Sequence, residues 1–197
     1  MRIHRKSAST LAFAIVLTLG SLTMAYRLPG TGNIEGEFAQ GPEPLAKLAV
    51  TSPAFVEGGS LPPEFTCDGA SASPPVAWSG APEGTKCYAL EVWHIPGPGD
   101  VKSYWVVYNI PASVTRIAKN EKTVGVAGLN DKRRTGYDPM CSKGPGAKKY
   151  NITVHALSAE IPESSRKLNR AELLKAIKEI ELARGTLSFT YARQNRG

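Results

Sequence analysis

Three strand-length runs restrict most strongly what this chain can fold into. Tyr88–Trp93 is apolar apart from Glu91, Ser103–Ile110 is dense in aromatic and β-branched residues, and Tyr150–Leu157 alternates. Period-two alternation sends successive side chains to opposite faces of a sheet, and runs this short are buried by neighbouring strands. Leu48–Thr51, stopped by Pro53, and Leu187–Tyr191 read as two further short strands. Residues 58–75 hold four prolines and three glycines, the composition of a long irregular loop. The chain therefore reads as mainly β.

One helix stands out against this background. Asn169 is an N-cap with Glu172 at the third helical position, a capping box, and Leu173, Leu174, Ile177 and Ile180 recur at helical spacing. With Gly185 as the stop, the pattern predicts a helix over 170–184 that packs its stripe on the core.

The first residues look like a targeting segment. Arg2, His4, Arg5 and Lys6 precede the apolar run Leu11–Leu22, which is short for a bilayer, and Thr23-Met24-Ala25 offers small residues for cleavage. Residues 1–25 are expected to be a signal peptide of a periplasmic or secreted protein, with an uncleaved N-terminal anchor as the alternative. Residues 26–46, rich in Gly and Pro, read as a flexible linker, and 47–197 as one domain. After cleavage no stable membrane span is expected.

Charge and cysteines narrow the function classes. Removing Arg2, Arg5 and Lys6 from 24 basic residues leaves 21 against 17 acidic, a net charge of +4. That mild excess carries no basic stripe with interleaved aromatics, so a nucleic-acid partner is not expected. In an oxidising compartment the three cysteines allow one disulfide and one thiol. Cys87 lies in an apolar run and suits a buried free thiol; Cys67 and Cys141 lie in loop-like sequence and are the better pair. No metal-ligand spacing is present, and no cofactor is implied.

Several segments, taken in order, carry a family likeness. They are Ser52-Pro53-Ala54-Phe55, Leu61-Pro62-Pro63-Glu64-Phe65-Thr66-Cys67-Asp68-Gly69 and Ser73-Pro74-Pro75-Val76-Ala77-Trp78. Tyr104-Trp105-Val106-Val107-Tyr108-Asn109-Ile110-Pro111-Ala112 follows, then Gly128-Leu129-Asn130-Asp131, Gly136-Tyr137 and Tyr191-Ala192-Arg193. Over about 48–193 the chain resembles the phosphatidylethanolamine-binding protein family, in its bacterial Raf-kinase-inhibitor-like branch. The resemblance implies a sandwich of two antiparallel sheets with a C-terminal helix and small peripheral helices. It also implies a small pocket for phosphate-like head groups near one end of the sandwich.

The family builds that pocket from an Asp-Pro-Asp-x-Pro loop, a His-Trp pair, a Gly-Pro-x-Pro-Pro loop and a Gly-x-His-x-Tyr turn. Here the acidic loop is His94-Ile95-Pro96-Gly97-Pro98-Gly99, without either aspartate. Tyr104 replaces the histidine before tryptophan, Asp138–Gly144 replaces the proline loop, and Lys148 replaces the histidine two residues before Tyr150. Position by position, the resemblance makes His94, Tyr104, Ser142, Lys143, Lys148 and Tyr150 the candidate ligand residues. The replacements remove anions and add cations, so a more positive site for an oxyanion is expected.

The expected function is thus binding of a small anionic ligand or phospholipid head group. A protein partner, as for a kinase or protease inhibitor, is the alternative. His155 reads as structural, and Asp68 as part of an Asp-Gly turn, although the family places it near the pocket. Trp78, Trp93 and Trp105 should pack in the core or on the pocket wall. No Gly-x-Ser-x-Gly elbow is present, so an enzyme is not expected; His94 with Ser142 or Cys141 is the one conceivable hydrolase arrangement.

Overall fold

The computed structural model describes residues 45–143, 145–162 and 166–193. The expectations for residues 1–25 and for nearly all of the linker lie outside these. In chain order the strands are β1 (Ala46–Lys47), β2 (Ala49–Thr51), β3 (Val76–Ser79), β4 (Cys87–Gly97), β5 (Asp100–Pro111), β6 (Arg116–Ile117) and β7 (Val126–Ala127). β8 (Lys148–Leu157), the helix α1 (Arg170–Ile177) and β9 (Glu181–Tyr191) complete the chain. Pro63–Phe65 makes a 3-10 turn inside the expected loop.

The strands form a six-stranded sheet, in the order β1-β9-β8-β4-β5-β7, and a three-stranded sheet, β2-β3-β6. Apart from the parallel β1–β9 pair, the pairings are antiparallel. The mainly β, two-sheet expectation is met. The linker estimate runs slightly long, because Ala46 is already paired with Ala183 of β9.

Alternation along β4 divides the core. Tyr88, Leu90 and Val92 join Val50, Val76, Trp78 and Ile117 of the small sheet in the cluster between the sheets. Cys87 and Ala89 belong to a second cluster with Leu173 and Ile177 of α1. Each fully buried aliphatic side chain contributes about 1.5–3 kcal/mol relative to exposure, which is why the pattern fixes the register.

The helix is shorter than its pattern. The capping box forms as expected: Asn169 Oδ1 accepts from Glu172 N at 3.1 Å, and Asn169 N donates to Glu172 Oε2 at 3.0 Å. Yet α1 ends at Ile177, and the segment expected to continue it is strand β9, pairing Glu181 with Leu157 and Gly185 with Val154. Leu173 and Ile177 are buried, while Leu174 and Ile180 pack on the same cluster, Ile180 from the turn after the helix. Gly185 is no helix stop. A Cβ there would stand 2.2 Å from the Leu48 carbonyl oxygen, so only glycine permits this backbone approach. The helix therefore does not close the chain, and among the described residues it has only the 3-10 turn as a peripheral companion.

Behind the large sheet lies a buried polar cluster. His155 meets Glu181 (Nδ1 to Oε1, 2.6 Å) and Glu91 (Nε2 to Oε1, 3.6 Å). Arg170, the first residue of α1, reaches Glu91 through Nε to Oε2 at 2.7 Å and lies over the Trp93 ring. Burial alone lowers the His155 pKa, but bonding to Glu181 and Glu91 outweighs it and raises the pKa above its ordinary value. His155 is thus structural, pairing with two strands and, through Glu91, with the helix.

Candidate functional site

Where β4 ends and β5 and β8 begin, the large sheet opens into a cavity of about 690 Å³. All six candidates line it: His94 from β4, Tyr104 from β5, Lys148 and Tyr150 from β8, and Ser142 and Lys143 from the preceding loop. Alternation explains the strand residues. His94 continues the face of Leu90 and Val92, and Tyr150 the face of Ile152 and Val154, past the point where apolar neighbours cover it.

The wall is aromatic. The His94 ring centroid lies 4.6 Å from that of Tyr150 and 5.4 Å from that of Tyr104, and Tyr104 and Tyr150 stand edge to face at 5.6 Å. Tyr150 stacks in turn on Phe189 of β9 at 5.6 Å, which anchors the wall in the core. The Tyr104 hydroxyl lies 3.0 Å from His94 Nδ1. On the other side Lys148 Nζ donates to Ser142 Oγ at 2.8 Å and to the Lys143 carbonyl. Ser142 and Tyr104 both neighbour the Tyr150 side chain.

The electrostatics follow from this packing. Burial, with the neighbouring Lys102 and Lys148 charges, holds the His94 pKa below its ordinary value, opposed by Asp100 and Asp131. Burial pushes Tyr104 up strongly, reinforced by Tyr150 and Asp131. It also raises Tyr150, against the lowering influence of neighbouring Ser142 and Tyr104. Both phenols are therefore neutral hydroxyls and the imidazole is neutral near pH 7.

Several lining residues escaped the sequence reading. Lys102 is the cross-strand neighbour of His94, a relationship set by the β4–β5 register. Asp131 and Asp138 supply carboxylates that the altered acidic loop does not, so the site is less uniformly positive than expected. Asp138 is paired with Lys132 at 2.9 Å. Both aspartates stand in or beside the quoted motifs Gly128–Asp131 and Gly136-Tyr137, which were the available signal.

Other expectations resolve as follows. Cys67 and Cys141 form the disulfide, with Cα atoms 5.3 Å apart, and Cys141 lies on the cavity wall beside Ser142. Cys87 is a buried free thiol whose pKa burial raises to about 11. Asp68 accepts from Tyr191 Oη and from Arg193 Nε (3.1 Å), tying the end of β9 to the disulfide loop. Trp78 and Trp105 are in the core, and Trp93 is half-buried under Arg170. Of the conceivable hydrolase arrangement, Cys141 is oxidised in the bridge, Ser142 Oγ accepts from Lys148, and His94 Nδ1 meets the Tyr104 hydroxyl. Among the described residues no cluster of metal-ligating side chains occurs, and no helix is long and apolar enough to cross a membrane.

Comparison with known proteins bears on the same region. The sequence model of one family, described as phosphatidylethanolamine-binding protein, matches residues 51–192. A UPF0098 protein of Aquifex aeolicus is 33% identical over 159 residues, covering 76% of this chain and 86% of its own. The crystal structure of Escherichia coli YbcL, reported as a new member of the mammalian PEBP family, superposes with a TM-score of 0.69 at 29% identity, covering 76% of this chain and all of YbcL. A PEBP homologue from Chlamydia trachomatis has the same TM-score at 27% identity, covering 75% of this chain and 99% of its own.

Proposed function

Because this chain belongs to the phosphatidylethanolamine-binding protein family, we propose that it is an exported binding protein that holds a small oxyanion, such as a phosphorylated head group, in the cavity. One observation carries the reading. The Lys148 ammonium is held in place by Ser142 Oγ and the Lys143 carbonyl at the edge of an aromatic, partly buried wall. A cation fixed in this way has already lost its rotamer freedom, so a charge-assisted bond to an anion costs less ordering. The signal-like N-terminus supports export, and the Cys67–Cys141 bridge suits an oxidising compartment.

Calorimetric titration of wild type and Lys148→Glu with phosphate, phosphoserine and glycerophosphoethanolamine tests the proposal. Wild type is expected to bind at least one of them at millimolar concentration or better, more weakly as salt rises, and the variant none. Failure of all three to bind wild type removes the anion reading. A second reading, a protein-interaction module, draws on Ile95 and Val101, 58% and 40% exposed near the tip of the β4–β5 hairpin beside the cavity. Ile95→Glu would then abolish partner capture while leaving anion binding intact.

A further inference from the structure

A second crevice, of about 380 Å³, shares no lining residue with the cavity at the end of the large sheet. Three loops build it: Ser71 and Ser73 ahead of β3, Asn120–Lys122 between β6 and β7, and Thr135–Tyr137 ahead of β8. Hydrogen bonds fasten these loops to one another and to the fold. Asn120 N donates to Ser73 O at 3.1 Å, Thr135 bridges to Leu129, and the buried Asn130 donates through Nδ2 to Gly136 O at 3.3 Å. The crevice is therefore formed before a ligand arrives, and its ordering cost falls on folding.

Its polar groups are uncommitted. Ser73 is only 4% exposed, yet its hydroxyl has no hydrogen-bond partner among the described residues and lines the crevice. A hydroxyl so enclosed lacks a replacement for bulk water unless something enters beside it. The Asn120 amide and the Thr135 hydroxyl also have no partner among the described residues. Two lining side chains are kept at a conformational cost. Ser71 and Asn120 both have a φ of 58°, in the left-handed region where glycine is the least strained residue. Asparagine tolerates that region, but at Ser71 the chain holds a hydroxyl where glycine would cost less.

Charge gives no preference for an ion. Glu121 and Lys122 are the charged residues of the lining, and they offset each other. Glu121 Oε1 is already engaged by Lys122 N, Thr123 N and Thr123 Oγ1, all within 2.8 Å. The Tyr137 hydroxyl donates to Phe65 O at 2.6 Å, so Tyr137 and Ala127 supply the apolar part of the lining.

We propose that this crevice binds a neutral saccharide unit. Each sugar hydroxyl both donates and accepts, as do the serine and threonine hydroxyls and the asparagine amide that face it. The C–H face of a sugar ring suits the Tyr137 and Ala127 side. The volume lies near the lower end of small-molecule pockets, with room for roughly one or two sugar rings. The site is independent of the anion-binding reading of the first cavity.

The test is NMR titration of the isotope-labelled full-length protein with N-acetylglucosamine, glucose and, as a zwitterionic probe, free serine. A sugar should shift the amides of Ser73, Asn120 and Gly136, with a dissociation constant of about 1–10 mM, and leave those of Tyr104 and Lys148 in place. Ser73→Ala removes the enclosed hydroxyl and should weaken binding about two- to tenfold. Asn120→Gly removes the amide but suits the left-handed backbone, so it should weaken binding with no loss of melting temperature. Shifts from serine and from neither sugar reassign the crevice to a zwitterion and overturn the proposal, as does unchanged sugar affinity in both variants. No shift from any probe at about 50 mM leaves the crevice to water alone and overturns it too. None of these results touches the anion reading, which the phosphate titrations decide separately.

Discussion

Gly185 lies so close to the main chain of Leu48 that a Cβ on the glycine would stand 2.2 Å from the Leu48 carbonyl oxygen and 2.8 Å from its carbon. Leu48 N also donates to Arg184 O at 3.0 Å, so the two backbones are fastened where the short edge strand meets β9. A glycine inside a strand costs backbone entropy, and this approach is what it permits in exchange.

Gly185→Ala should therefore destabilise the domain by about 1–3 kcal/mol, because backbone atoms have nowhere to yield. Urea denaturation measures it. An unchanged midpoint would show that the segment around Leu48 parts from β9 without cost.

The buried His155 predicts a pH dependence. Its folded pKa is raised above its ordinary 6.5 by Glu181 and Glu91, against the lowering by burial. A raised base stabilises fully below its unfolded pKa and loses that contribution as pH rises through the folded value. The stability advantage of wild type over His155→Gln should accordingly be largest near about pH 6 and shrink toward about pH 9. A gap that widens with pH would contradict the ion-pair assignment.

Reducing the Cys67–Cys141 bridge should cost about 2–5 kcal/mol, since it closes a long loop. It should also loosen the Ser142–Lys148 corner, because Cys141 adjoins Ser142. Cys87, with its thiol raised to about 11, should resist alkylation in the native protein at about pH 8. Non-reducing peptide mapping after native alkylation reads both, and a label on Cys87 or a bridge to it refutes the assignment.

For the helix, Asn169→Ala removes the acceptor of the capping bond and should cost about 0.5–2 kcal/mol. Ile177→Ala, at a 1% exposed position, should cost about 2–5 kcal/mol. Equal, small shifts in thermal melts would place α1 outside the cooperative unit.

What the sequence by itself determined was local, or carried by ordered motifs. Alternation at Tyr88–Trp93 and Tyr150–Leu157 expresses which face is buried, and the Asn169–Glu172 box depends on residues three apart, so both were legible. The loop setting of Cys67 and Cys141 pointed to their bridge. The cavity residues were legible only through the family likeness, since His94, Tyr104, Ser142 and Lys148 share no short-range pattern. Tertiary structure decided the rest. Residues 181–184 suit the end of a helix locally, yet pairing with β8 along Leu157–His155 satisfies their backbone and draws them into β9. Glu91 is the one charged residue in an apolar run, and its partners come from elsewhere in the chain: β8 brings His155 to it and α1 brings Arg170. Lys102 faces His94 only through the β4–β5 register, and Asp131 reaches the cavity only because its backbone N–H bonds Ser103 O. Charge balance at a site depends on distance in space. Residues far apart in the chain acquire that distance only when strands pair.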